Sequence, residues 1–171
     1  MAVLDKLEFI RFGPYRFIGK SVYARVGAPF TGEIFGSLWG NSAGIFARLD
    51  ELNAYASPEV HQVALLTGDR YDEEKKLIGY TVGRFMKAGT PVPEGLDFFD
   101  IPATTVAKGW VSGEFNDMIS SAEGLTLKAI EAQTEYTPSW SVLAEVYTED
   151  TVPQAGVHSV LGYYIGCNKA E

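Results

Sequence analysis

The chain of 171 residues has the composition of a folded globular protein, because 46% of its residues are hydrophobic and 21% are charged. A formal net charge of -8 repels phosphates and anionic lipids, which disfavours nucleic acids and membranes as partners. The single cysteine excludes an intrachain disulfide, and no run approaches the ~20 apolar residues of a membrane span or an apolar signal segment. We therefore expect a cytoplasmic protein.

In chain order, the first half predicts a strand, a helix and a hairpin. The first strand is predicted over residues 16–26. Apolar residues recur at helical spacing over residues 31–55, although the glycines within residues 40–44 favour a break. Residues 63–67 and 77–83 then predict two strands joined across a polar turn.

The second half predicts the same order of elements. A strand over residues 101–111 precedes a helix that starts with Asn116 as its N-cap and runs to about Gln133. A second hairpin is predicted from residues 142–148 and 160–166.

The two hairpins also resemble each other in sequence. Residues 77–83 and 160–166 share two aliphatic residues, Gly-Tyr, a variable position, a β-branched residue and Gly, which indicates an internal duplication. The Pro/Gly-rich residues 87–97 predict a linker between half-repeats of about 1–86 and 98–171. We predict an α+β fold of duplicated βαββ units, with antiparallel sheets, helices on one face and a concave ligand cleft between the halves.

One acidic residue interrupts an apolar strand. Strand alternation places Glu145 on one face with Leu143 and Tyr147, and Val142 and Val146 on the other. If the valine face packs on the helix, Glu145 points to the opposite surface, where burial costs several kcal/mol unless the carboxyl group is paired or protonated. Its partner could be a basic side chain, solvent or a ligand.

Aromatic residues, 13% of the chain, would complement such an acid by stacking and cation–π contacts, although each one could equally pack in the core. Of the adjacent Tyr163 and Tyr164, we favour Tyr164 for the cleft. The predicted ligand-binding residues are Glu145, Leu143, Tyr147, Trp39, Trp110 and Tyr164.

Short motifs in the second half resemble a known family. Residues 143–147, 149–153 and 164–167 are similar to the hydrophobic-Glu-x-Tyr, acidic, Val-Pro and closing-strand signature of GyrI-like or SOUL-type effector-binding domains. Leu38-Trp39 resembles the Leu-Trp of that family's first helix. The resemblance covers essentially the whole chain.

This resemblance implies a single small-molecule-binding domain over residues 1–171, with a concave site in which Glu145 contacts the ligand. Relatives include multidrug-sensing domains of transcription activators, gyrase-inhibitor proteins and stand-alone hydrolases of cyclopropane-bearing alkylators. No residues remain for the helix-turn-helix domain of many relatives, so we expect no direct control of transcription. Leu66 occupies the first-half position that matches Glu145.

Three functions remain open at this stage. We favour a non-catalytic protein that binds or sequesters small apolar, aromatic or cationic molecules. The alternatives are a hydrolase with Glu145 as catalytic acid or base, and a gyrase-inhibitor-like protein interaction through the acidic loops Asp72-Glu73-Glu74 and Glu149-Asp150.

No cofactor is expected, because the sequence contains no Gly-rich phosphate loop. No metal site is expected either, because neither His61 nor His158 lies within ligand spacing of another histidine or of Cys167. The ligand, any protein partner and the oligomeric state are left open by the sequence.

Overall fold

A computed structural model describes residues 1–25, 31–72 and 77–171 of the chain. Within these residues the protein has an α+β fold with antiparallel strands, as predicted. The predicted strand residue Val26 and the loop residues Glu73 and Glu74 lie outside this description. The described elements are β1 (Val3–Phe12), β2 (Tyr15–Arg25), α1 (Thr31–Gly40), α2 (Ala43–Leu52), β3 (Gln62–Asp72), β4 (Leu77–Lys87), β5 (Asp97–Ile101), β6 (Thr104–Glu114), α3 (Phe115–Glu131), β7 (Tyr136–Tyr147) and β8 (His158–Lys169).

Residues Pro14–Pro102 form one compact unit, called the first unit. Its strands are ordered β3-β4-β2-β5. α1 and α2 pack on the face of β4 that carries Tyr80. The Phe35 ring stacks on Tyr80 with 3.9 Å between ring centroids, and the Trp39 indole donates to the Tyr80 hydroxyl at 2.8 Å. An aromatic cluster thus joins α1 to the sheet of this unit.

The helical region of the first unit is interrupted. α1 ends at Gly40 and α2 begins at Ala43, and between them the Ser42 hydroxyl donates to the Trp39 carbonyl at 2.6 Å. The break predicted within residues 40–44 is therefore confirmed. α2 ends at Leu52, slightly before the predicted end at residue 55.

Residues Met1–Gly13 and Ala103–Glu171 form the other compact unit, called the second unit. Its strands are ordered β1-β6-β8-β7, and α3 packs on one face of this sheet. Met118, Ala122 and Ile130 of α3 are fully buried in a core that includes residues of β6 and β8. None of the helices within residues 1–25, 31–72 and 77–171 has the length and apolar character needed to cross a membrane.

The start of α3 differs from the prediction by one feature. Glu114, and not Asn116, is the N-cap: its carboxylate accepts from the backbone N–H of Asp117 at 3.2 Å. A carboxylate at this position pairs with a free N–H of the first turn and also interacts favourably with the helix dipole. Asn116, the predicted N-cap, lies inside the first turn of the helix.

The compact units also differ from the predicted half-repeats. β1 lies in the first half of the sequence but pairs along its length with β6, from Val3 opposite Ser112 to Phe12 opposite Thr104. β5 pairs with β2. Neither strand was predicted, because a local pattern does not disclose a distant pairing partner. Residues 88–96, within the predicted linker, contain no helix or strand. The cleft between the halves stays a prediction.

Candidate functional site

Glu145 lies on the face of the second unit's sheet that α3 covers. Leu143 and Glu145 of β7 stand directly opposite Ile165 and Tyr163 of β8, and directly opposed residues point to the same face. Ile165 and Tyr163 belong to the same buried cluster as α3 residues such as Met118. The arrangement considered from the sequence, with the valine face of β7 against the helix, is therefore wrong. Alternation shows which residues share a face, but not which face the helix covers.

Two tyrosine–glutamate hydrogen bonds define this side of the sheet. The Tyr147 hydroxyl donates to Oε2 of Glu145 at 3.0 Å, and the Tyr163 hydroxyl donates to Oε2 of Glu123 in α3 at 2.9 Å. Glu145 is half-buried, and Tyr163 is only 3% exposed. A carboxylate that accepts hydrogen bonds from a neutral phenol keeps its negative charge. This charge favours positively charged groups on this side of the sheet.

The six residues predicted from the sequence do not all lie together. Leu143, Glu145 and Tyr147 share the α3 face. Trp110 stands opposite Gly162, one position from Tyr163, and so lies on the other face, where its ring meets Tyr164 edge-on at 6.2 Å. Trp39 belongs to the first unit.

The structure adds Tyr163 and Glu123 to the surroundings of the predicted acid. The Gly-Tyr repeat was visible in the sequence, but the choice between Tyr163 and its neighbour required the pairing register. Glu123 directly follows the buried Ala122 within the predicted helix, and no sequence signal singled it out. The hydrogen bond that Glu123 accepts from Tyr163 links it to this face of the sheet.

The first unit carries the counterpart of this tyrosine. Tyr80 stands opposite Leu66, as Tyr163 stands opposite Glu145, which confirms Leu66 as the position matching Glu145. The Tyr80 hydroxyl accepts from the Trp39 indole, whereas the Tyr163 hydroxyl donates to a carboxylate. The tyrosine hydroxyl thus contacts a carboxylate in the second unit and an indole in the first unit.

The opposite face of the second unit's sheet carries a buried lysine that sequence reasoning missed. Lys108 is only 8% exposed, and its ammonium lies 4.7 Å from the centroid of the Tyr164 ring. Glu8 stands directly opposite Lys108, and its pKa is lowered mainly by a hydrogen bond from Lys6, with 2.9 Å between their charged atoms. A positive side chain beside Trp110 and Tyr164 makes this face less suited to a cationic ligand than the Glu145 face.

The fold and these contacts define an α+β protein of two units, each with four antiparallel strands in the described residues. No family model matches the sequence, and no curated protein matches it. Its structure is similar to that of SAV2435 bound to tetraphenylphosphonium, with a TM-score of 0.68 and 7% identity, covering 95% of this chain and 94% of that one.

Two further solved structures share the fold. A candidate bacterial transcription regulation protein from Staphylococcus aureus MU50 has a TM-score of 0.65 and 10% identity, covering 95% of this chain and 98% of that one. The integron cassette protein VCH_CASS2 from Vibrio cholerae has a TM-score of 0.57 and 14% identity, covering 98% and 99%. At these identities the likeness concerns the fold alone.

Proposed function

We propose that this protein is a GyrI-like effector-binding domain that binds small apolar molecules with an aromatic or cationic group, for ligand sensing or sequestration. The observation that carries the proposal is the half-buried Glu145 carboxylate, held by Tyr147 at 3.0 Å and placed directly opposite Tyr163. The contacting residues proposed are Glu145, Leu143, Tyr147 and Tyr163. Trp110 and Tyr164 are left out, because they lie on the other face of the same sheet. Trp39, a residue of the first unit, stays a prediction.

Electrostatics favours a cation at this position. An opposite charge about 4 Å from a carboxylate is worth about 4 kcal/mol at an effective dielectric constant of about 20. Tyrosine rings add cation–π attraction of about 0.5–2 kcal/mol, and Leu143 offers apolar surface. Tetraphenylphosphonium, the ligand of the structural neighbour SAV2435, combines a positive charge with four phenyl groups. That ligand class supports the proposal for this chain.

Titration with tetraphenylphosphonium tests the proposal. We expect wild-type protein to bind this cation and Glu145→Gln to bind it about tenfold more weakly or worse, which corresponds to a loss of about 1.4 kcal/mol or more. Isothermal titration calorimetry measures both affinities. Glu149→Gln, which makes the same charge change at an exposed site in the same unit, is the matched control and should keep wild-type affinity.

The anion tetraphenylborate has nearly the same shape as tetraphenylphosphonium and the opposite charge. A comparison of the two affinities therefore separates the effect of charge from the effect of shape. We expect wild-type protein to bind it far more weakly than tetraphenylphosphonium. Equal affinity for the two ions, or an unchanged affinity in Glu145→Gln, would remove Glu145 from the proposed site. Circular dichroism of each variant establishes that the fold is intact.

Hydrolysis is the second function that these contacts favour. The Tyr147 hydroxyl lies 3.0 Å from Glu145, a distance at which a phenol and a carboxylate can share a proton and orient a water molecule or an electrophile. Incubation with a cyclopropane-bearing alkylator separates the two functions. We expect binding without product, whereas product from wild type and none from Glu145→Gln would favour the hydrolase.

A further inference from the structure

One end of the second unit's sheet forms a polar cavity with two cationic side chains. Its volume is about 430 Å³, and its lining includes Arg11, Thr105, Cys167, Asn168 and Lys169. No lining residue is acidic, although the whole chain has a net charge of -8. The cavity therefore carries a local excess of positive charge on a protein that is acidic as a whole.

The pairing register places the charges around a hydroxyl group. Arg11 of β1 stands opposite Thr105 of β6, and Thr105 stands opposite Cys167 of β8. Lys169 follows two positions later on β8, so it points to the same face as Cys167. Arg11 therefore lies one strand spacing, about 4.8 Å, from Thr105, whereas Lys169 lies diagonally from Thr105, one strand across and two residues along. A guanidinium, an ammonium and a hydroxyl thus share one face.

Two negative features lie near this end and do not cancel the charges. The C-terminal end of α3 carries about half a negative charge, but its last carbonyls are occupied: that of Ile130 accepts from the Gln133 side chain at 2.6 Å. Glu135 is joined to the β8 end through its backbone, which accepts from the N–H of Ala170. The Glu135 carboxylate is exposed and does not line the cavity, so Arg11 and Lys169 are the charged residues of its lining.

We propose that this cavity binds a small oxyanion, the carboxylate or phosphate group of a small molecule. Arg11 offers a planar set of donors that matches two oxygens of such a group, Lys169 adds a second charge, and the Thr105 hydroxyl beside Arg11 offers a further donor. The side chains of Arg11 and Lys169 are exposed, so the binding of a simple anion is weak, on the order of 1 mM. The site is separate from Glu145 and takes the opposite charge.

Titration of the isotopically labelled full chain with inorganic phosphate, and separately with acetate, tests this site at constant ionic strength set by sodium chloride. We expect saturable shifts of the amide resonances of Thr105 and Asn168 in a two-dimensional NMR spectrum with at least one of the anions. The anion that binds more tightly identifies the oxyanion group.

The double variant Arg11→Gln/Lys169→Gln should weaken this binding at least fivefold. Arg48→Gln/Lys87→Gln removes the same two charges from exposed positions of the first unit and should leave the affinity unchanged. Thr105→Val retains both charges and should weaken binding about twofold or more. The proposal fails if neither anion gives saturable shifts, or if the control lowers the affinity as much as the double variant does.

Discussion

Glu114 joins two segments of the second unit through a single carboxylate. One oxygen accepts from the backbone N–H of Asp117 in the first turn of α3, and the other accepts from that of Gly156, in the turn before β8. These backbone hydrogen bonds, that from Gly156 foremost, lower the pKa of Glu114 below its ordinary value of 4.5. The stabilisation is present above the ordinary pKa and is lost as the pH falls through the lowered pKa of the folded state.

Replacing this carboxylate by an amide should remove that pH dependence. We expect Glu114→Gln to lower Tm by a few degrees at pH 7, and the difference from wild type to be smaller at pH 3, which lies below the ordinary pKa of 4.5, because the unfolded chain then binds a proton at this carboxyl group. Thermal unfolding followed by circular dichroism at both pH values provides the measurement. Glu131→Gln, in the last turn of α3, is the control and should show no loss at pH 7. A Tm difference that is the same at both pH values would assign the effect to shape and not to charge.

At the scale of elements, two glycine environments have opposite consequences. Gly32, Gly36 and Gly40 of α1 are exposed, and a Cβ atom added to any of them meets nothing within 4 Å. In β6, a Cβ atom on Gly109 would overlap the Thr126 side chain of α3. The absence of a side chain at Gly109 therefore lets α3 approach the sheet, whereas the absence of side chains at the three α1 glycines only weakens that helix.

Alanine substitutions test this contrast. Gly36→Ala should raise the free energy of unfolding by about 0.5–1 kcal/mol, because alanine loses less backbone entropy in a helix and the added methyl group finds open space. Gly109→Ala should lower it by about 1–3 kcal/mol, because α3 must move away from β6. Urea denaturation gives both values. Two changes of the same sign would mean that the helix–sheet distance does not control the second site.

At the scale of the whole molecule, the net charge of -8 disfavours binding to polyanions such as DNA. Counterion release at phosphates supplies most of the nonspecific affinity for DNA, and it requires clustered lysine and arginine residues. The chain has 14 of these against 22 acidic residues. Two cations at one end of a sheet suit a small oxyanion, but they do not form an extended basic surface.

We therefore expect no binding to duplex DNA. Fluorescence anisotropy of a labelled duplex should remain constant up to about 10 μM protein at about 0.15 M salt, conditions in which nonspecific DNA-binding proteins give dissociation constants of about 1–100 μM. A basic DNA-binding domain assayed in parallel establishes that the label responds. A rise in anisotropy that disappears at higher salt would contradict the expectation and indicate a basic surface that the net charge conceals.

Local periodicity was sufficient to predict much of the architecture and the strand face that Glu145 occupies. The interrupted helix, the two hairpins and the equivalence of Leu66 and Glu145 follow from spacing and repetition along short segments. The same alternation grouped Glu145 with Leu143 and Tyr147. These features were predictable because each depends on residues within about one element of each other.

Contacts between distant residues decided the rest. The sequence could not show that α3 covers the Glu145 face. The register places Tyr163 directly opposite Glu145, and the Tyr163 hydroxyl donates to Glu123, 40 residues away. The preference for Tyr164 in the cleft stays a prediction. Likewise, only the pairing of β1 with β6 brings Arg11 beside Thr105. Strand alternation defines two faces but leaves them equivalent, and the packing of a helix on one of them removes that equivalence.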